Sequence, residues 1–337
     1  MIPLWSYFLL SFLGLWLIAT PLTFPASPPL FWSDLLAGLL LFSLSLAARK
    51  PQPPLKQRLF YYAFLAIALW LELAPLLFWA PSPLLYLNDT LLGVLIIAFV
   101  LLLFPLPSQL PEEEPTVPPG FSYNPSSWPQ RIPIILSALL CWFYSRYLAA
   151  YQLGYIDTVW DPFFIPGAKG VLTSSVAHLF PVSDAGLGAF AYTLEFLAAC
   201  LGGKARWRTA PWLTLIFAFL VIPVGLVSII LVILQPLVVG TWCTLCLLTA
   251  ATMLIAVPLA MDEIVASFSY LRRTRWKTLF PGGEDPQATE DRCTPPLTDS
   301  LASIFRAGFW GLSVSWPLLF SLPLGLFLMT QPSPADP

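Results

Sequence analysis

Between Arg208 and Asp262 the chain reads TAPWLTLIFAFLVIPVGLVSIILVILQPLVVGTWCTLCLLTAATMLIAVPLAM, residues 209–261, without one charged side chain. As a single helix that run would extend roughly 80 Å, against a bilayer hydrocarbon core of about 30 Å. It must turn back once, and Gln235-Pro236 and Gly240 are the residues placed to break it. Two membrane helices result, with Cys243-Thr244-Leu245-Cys246 at the start of the second.

The rest of the chain follows the same logic. Its 337 residues are 58% hydrophobic and only 10% charged. A soluble domain carries about 25% charged residues, so a single soluble core is excluded. Lys and Arg total 16 against 18 Asp and Glu, which leaves no basic face to track phosphates and argues against a nucleic-acid partner. The 36 prolines punctuate apolar runs and form no low-complexity tract. Charge-poor windows predict spans near 4–22, 31–48, 59–79, 86–106, 133–153, 184–201, 211–233, 240–261 and 307–329. The expected fold class is an all-α polytopic membrane protein with about nine transmembrane helices.

Basic residues set the orientation, because short cytoplasmic loops retain Lys and Arg. Arg49, Lys50, Lys56 and Arg58, then Lys204, Arg206 and Arg208, then Arg272, Arg273, Arg275 and Lys277 all fall on one side if the N-terminus is cytoplasmic. Residues 154–183 are then the one sizeable outer loop, and the Cys243/Cys246 pair lies at the outer face. Residues 1–33 carry no charge, so the basic region of a secretory signal is missing and a retained first helix is expected.

The first two helical pairs resemble each other. Leu15-Trp16-Leu17, Pro21-Leu22 and Phe24 recur as Leu69-Trp70-Leu71, Pro75-Leu76 and Phe78, and Asp34 and Gly38 recur as Asp89 and Gly93. This two-helix hairpin used twice is similar to the SPW repeat of bacterial membrane proteins, a resemblance that implies membrane embedding and no chemistry. Asp34 and Asp89 are expected to cap the helices that follow them. The expected organisation is two tandem hairpins over 1–106, a Pro- and Glu-rich extended cytoplasmic linker over 107–132, a four-helix bundle over 133–262, and a cytoplasmic loop with a last membrane helix over 263–337.

Of the five cysteines, Cys141, Cys200, Cys243, Cys246 and Cys293, only Cys243 and Cys246 have motif spacing. Residues three apart on a helix share a face, so their sulfurs can close a disulfide at a helix start. A helix N-terminus also favours an anion, the electrostatic condition for a reactive thiolate. The competing reading is two small apolar residues in a membrane helix. A zinc site is disfavoured and no metal is expected, since His178 is the only histidine and no second Cys pair completes four ligands.

Ser183-Asp184-Ala185-Gly186-Leu187-Gly188-Ala189-Phe190-Ala191-Tyr192, followed by Cys243-Thr244-Leu245-Cys246, resembles the vitamin K epoxide reductase family over about residues 133–262, with Val171-Leu172-Thr173-Ser174 in the outer loop. The resemblance implies a four-helix membrane bundle whose C-x-x-C, at the outer end of its last helix, passes electrons to a bound quinone such as menaquinone or ubiquinone. It implies that Cys246 faces the quinone and that Cys243 exchanges disulfides with a thioredoxin-like thiol protein on the outer side. Asp184, Ser174, Tyr192 and Trp242 become candidate quinone contacts, with a helix cap as the competing reading for Asp184 and a surface loop serine for Ser174. Two departures stand out: the outer loop has no cysteine pair, Gly167, Ala168, Lys169 and Gly170 preceding Val171, and Ala250 replaces a tyrosine common four residues after the second cysteine.

The expected function is therefore a quinone-reducing membrane thiol-disulfide oxidoreductase in a bacterial inner membrane. The alternative is a non-catalytic scaffold or quinone- or lipid-binding protein that kept the bundle. A transporter is a weaker third reading, because the intramembrane charges are scattered. Among those charges, Arg146 and Glu195 are expected to pair structurally, Glu72 stands in the third span, and His178 is a lone loop histidine.

Overall fold

The computed structural model describes residues 4–50, 53–103 and 117–274, and among them there is no strand. The helices are α1 (Leu4–Thr23), α2 (Pro28–Ala48), α3 (Pro54–Leu77), α4 (Pro83–Leu103), α5 (Trp128–Gln152), the short α6 (Gly167–Leu172), α7 (Asp184–Cys200), the single turn α8 (Arg206–Thr209), α9 (Pro211–Leu234) and α10 (Thr244–Arg273). Seven of them are long and apolar enough to cross a bilayer. The 17 residues of α7 reach about 25 Å, at the short end of what a span requires. The expected ninth span, 307–329, lies outside the described residues, as do positions 107–116 and the loop at 278–299.

Two compact units emerge. The first holds the described residues up to 103 together with Arg146–Val159 and Ala177–Phe190. Here α1 packs on α2 and α3 on α4, with further contacts of α1 to α4 and α2 to α3. Two indole bonds cross between the hairpins: Trp16 donates to Asn88 at 2.9 Å and Trp70 donates to Ser33 at 2.8 Å. Leu30, Ala74, Leu76, Leu85 and Tyr86 form a core beneath Phe24 and Phe78.

The capping roles expected for Asp34 and Asp89 are not what this unit contains. Proline stands at the first turn of α2 and at the start of α4, where its missing N–H is an orphan anyway. The helices therefore begin earlier than the charge pattern suggests, and each carboxyl falls nearly two turns inside, fully buried. Both Asp34 oxygens and Asp89 Oδ2 lack a hydrogen-bond partner. The expected Arg146–Glu195 pair is also absent. Arg146 Nη2 donates to Thr90 Oγ1 at 2.6 Å and its guanidinium lies 4.5 Å from the centre of the Tyr86 ring, while both Glu195 oxygens lack a hydrogen-bond partner. An embedded guanidinium takes the acceptor and ring face nearest to hand, and α4 supplies both.

The second unit holds residues 117–145, Trp160–Val176 and 191–274 of the described chain. One core is shared by α5 (Ile134, Cys141), α7 (Tyr192, Ala198), α9 (Phe217, Val221) and α10 (Met253, Val257). At the end of this unit where α7 finishes, two arginines take up carbonyls that no helix bond satisfies. Arg131 donates to Ala199, Leu201 and Gly202, and Arg206 donates to Ala198, Ala199 and Leu201. Arg206 and Glu263, 0% and 1% exposed, form a buried ion pair, and Ser126 donates to the same carboxylate at 2.6 Å. Tyr123 donates to Asp262, so residues 123–126 are tied to α10. Two helix limits differ from expectation: α5 starts at Trp128 and not near 133, and α10 runs on to Arg273 and not 261.

Candidate redox site

The turn that the uncharged run requires lies where the proline and glycine are. A π-turn over Gln235–Val239 closes α9, and Gly240 ends it in the left-handed region at φ +77°, a conformation that costs a glycine little. The chain then runs extended through Cys243, which is the N-cap of α10. Cys243 and Cys246 are joined as a disulfide, their Cα atoms 5.3 Å apart. Cys243 Sγ accepts from the Cys246 N–H at 3.2 Å, and the Cys243 N–H donates to Gln235 Oε1 at 3.0 Å. Two of the backbone donors that the start of α10 leaves open are thus satisfied locally.

Asp161 provides the second hold on this turn. Its carboxylate is 6% exposed. One oxygen accepts from the Ala168 N–H at 2.6 Å, at the start of α6, and the other accepts from the Thr244 hydroxyl, between the two cysteines. One side chain therefore fastens α6 to the first turn of α10. Gly167 makes the approach possible, since a Cβ there would strike the carbonyl oxygen of Trp242. Cys243 is 0% exposed, whereas Cys246 is partly exposed.

Of the residues named from the sequence, Trp242 joins the cysteines. It is buried with Val232 and Ala250, Phe164 and Leu247 pack against them, and the Phe164 ring centre lies 6.4 Å away. Ser174 lies just beyond α6 and donates to the Val171 carbonyl at 2.7 Å. Tyr192 belongs to the shared core of the second unit, beside Cys141 and Phe217, and its hydroxyl meets Ser228. Asp184 opens α7, where Oδ1 accepts from the Ala185 N–H at 2.7 Å and from Gln152. Ser183 Oγ accepts from the Gly186 N–H at 2.9 Å and so caps the helix. The sequence gives no sign of Asp161 and marks Gln235 only as a turn residue, although a lone amide at the turn of an uncharged run is a signal, because buried polar groups need partners.

Flanking the cysteines in sequence, Trp242 and Leu247 belong to an apolar cluster with Val232, Ala250 and Phe164, and Cys246 itself is partly exposed. Among the described residues no three His, Cys, Asp or Glu side chains stand together as a metal site would need. The sequence profile of the vitamin K epoxide reductase family matches residues 132–261. Those residues form a vitamin K epoxide reductase family domain. No curated protein and no solved structure matches the chain significantly. With seven membrane-competent helices among the described residues, the protein is an integral membrane protein, and the matched domain is of the membrane thiol-oxidoreductase class.

Proposed function

We propose that the protein oxidises thiols of a partner protein through Cys243 and Cys246 and delivers the electrons to a membrane quinone. The observation that carries this reading is the disulfide at the start of α10, with Cys243 buried and Cys246 partly exposed. A bound quinone accepts two electrons and two protons and leaves as the quinol. On the protein side, the Cys246 sulfur closes onto Cys243 as both thiols give up their protons and an electron pair. The helix N-terminus favours the thiolate needed for that step. A partner thiolate then attacks Cys243, Cys246 leaves as a thiol, and a second partner thiol resolves the mixed disulfide. The partner disulfide forms and both chain cysteines return to thiols.

The covering of Cys243 assigns a task to the loop between α5 and α7. Asp161 and Gly167 hold α6 against the first turn of α10, and in this reading α6 lifts to admit the incoming thiol. The same features favour a second reading, a scaffold that kept the bundle and holds a structural disulfide, because no loop cysteine is present to relay electrons. The two separate on one experiment. The protein is reduced in detergent, mixed with decylubiquinone or menaquinone, quenched with an alkylating thiol reagent, and mapped by mass spectrometry. Rapid loss of alkylation at both cysteines, abolished by Cys246→Ala, supports the oxidoreductase. Thiols that stay free in excess quinone favour the scaffold. We further propose a bacterial plasma membrane location with the N-terminus and the three basic clusters on the cytoplasmic side, which places the cysteine pair at the oxidising outer face.

A further inference from the structure

The first unit contains a polar feature that the redox reading does not use. Asp34 on α2 and Asp89 on α4 are both fully buried, each on a helix that packs against both α1 and α3. Three of their four oxygens have no hydrogen-bond partner. The fourth, Asp89 Oδ1, accepts from the Asn88 amide at 3.2 Å. Asn88 in turn donates to Thr20 and accepts from Trp16, and Trp70 holds Ser33, the neighbour of Asp34. Each acid is thus preceded by a residue locked to an indole of the other hairpin.

The charges on the surrounding elements do not balance these two acids. Helix α1 presents only neutral Trp16 and Thr20. Helix α3 brings Glu72, a third buried acid. Arg49 at the end of α2 and Lys56 and Arg58 at the start of α3 stand at the opposite ends of their helices from Asp34 and Glu72. On the acids' side, among the described residues, the cation is Arg146 of α5, which lies over Tyr86 of α4, donates to Thr90 and acts electrostatically on Glu72. Tyr155 feels both Asp89 and Arg146, and its own hydroxyl is committed to the Ala80 carbonyl at 2.7 Å. Three carboxyls against one guanidinium would leave a surplus of two negative charges in a medium where an uncompensated ion is strongly disfavoured. Burying two carboxylates in one helix bundle without a cation for each disfavours the doubly ionised state.

We propose that Asp34 and Asp89 form a proton-binding site between the two N-terminal hairpins, a carboxyl pair that holds at least one exchangeable proton at neutral pH. The proton replaces the missing cation, and its release leaves two unbalanced charges between helices joined by the Trp16–Asn88 and Trp70–Ser33 bonds. Proton occupancy therefore loosens or tightens the packing of one hairpin on the other. The site is independent of the cysteines and stands or falls separately from the redox reading.

The test is infrared difference spectroscopy on the full protein in lipid nanodiscs, titrated across neutral and alkaline pH, with Asp34→Asn/Asp89→Asn as reference. Asn preserves shape and burial, and a retained thermal transition confirms the fold. Subtracting the double variant removes Glu72, Glu195 and every other carboxyl. The expected result is a protonated-carboxyl carbonyl band at neutral pH in the wild type. Above its midpoint the band falls about tenfold per pH unit, and each single Asn variant loses or shifts it. Dicyclohexylcarbodiimide, which attacks protonated acids in apolar surroundings, is expected to label Asp34 or Asp89 over the same range. A null difference spectrum at every pH overturns the proposal. So does a band or label suppressed when sodium chloride replaces choline chloride, which would make the pair a sodium site.

Discussion

Removal of the Asp161 carboxylate is the most informative single perturbation of the region around the cysteines. In Asp161→Ala the Ala168 N–H and the Thr244 hydroxyl lose their acceptor in a buried setting. Hydrogen bonds to a charged group contribute about 1.5–3 kcal/mol each, so the tie between α6 and α10 weakens by about 3 kcal/mol after partial rehydration. At roughly 1.4 kcal/mol per tenfold, the open population of α6 rises about a hundredfold. Cys243 is 0% exposed; if α6 is its cover, its reactivity follows the open population when opening is fast. The assay is the alkylation rate of Cys243 under reducing conditions, in a chain where Cys141, Cys200, Cys246 and Cys293 are serine. The expected rate is about a hundredfold above that of the Asp161 parent. A chain retaining Cys246 alone is expected to label equally fast with and without Asp161, because that sulfur is already partly exposed. Equal Cys243 rates in the presence and absence of Asp161 would refute the idea that this carboxylate holds the cover closed.

Related perturbations should grade accordingly. Thr244→Val removes one of the two donors and leaves the Ala168 bond, so Cys243 alkylation should rise about tenfold, well short of Asp161→Ala. Gly167→Val sets a Cβ against the Trp242 carbonyl and should expose Cys243 to a similar or greater extent than Asp161→Ala in the same assay. Gln235→Leu orphans the buried Cys243 N–H, and chemical unfolding should report a loss of about 1–3 kcal/mol. At the far end of the unit, Glu263→Ala strands the Arg206 guanidinium without its carboxylate. It should cost about 3–5 kcal/mol, read as a lower thermal midpoint, with paired replacement by apolar residues milder than the single change.

The membrane helices were legible because hydrocarbon thickness imposes a length and the absence of charge marks it, and the bend of the 209–261 run lies at the residues able to make one. The cysteine pair was legible from spacing alone, and the disulfide at a helix start follows from it. Asp34 and Asp89 were misjudged because proline at N1 begins a helix well before the acid, so a position that looks like a cap lies two turns inside. Arg146 was matched with the wrong partner, since composition cannot reveal that α4 offers both Tyr86 and Thr90. Asp161 and the carbonyl-capping pair Arg131 and Arg206 were missed for a common reason. Apart from the Arg206–Glu263 ion pair, their partners are backbone groups and a hydroxyl brought close only by folding, and one-dimensional spacing carries no trace of such contacts.

The central claim is electron transfer from the Cys243/Cys246 dithiol to a quinone, and stoichiometry tests it most directly. Reduced protein is mixed anaerobically with a slight excess of decylubiquinone, while quinol absorbance and free thiols are followed in the same sample. The account predicts one quinol formed for every two thiols lost, with neither change in Cys243→Ala or Cys246→Ala. Quinol production that persists in either variant, or thiols that stay reduced while the wild type binds quinone, would contradict it.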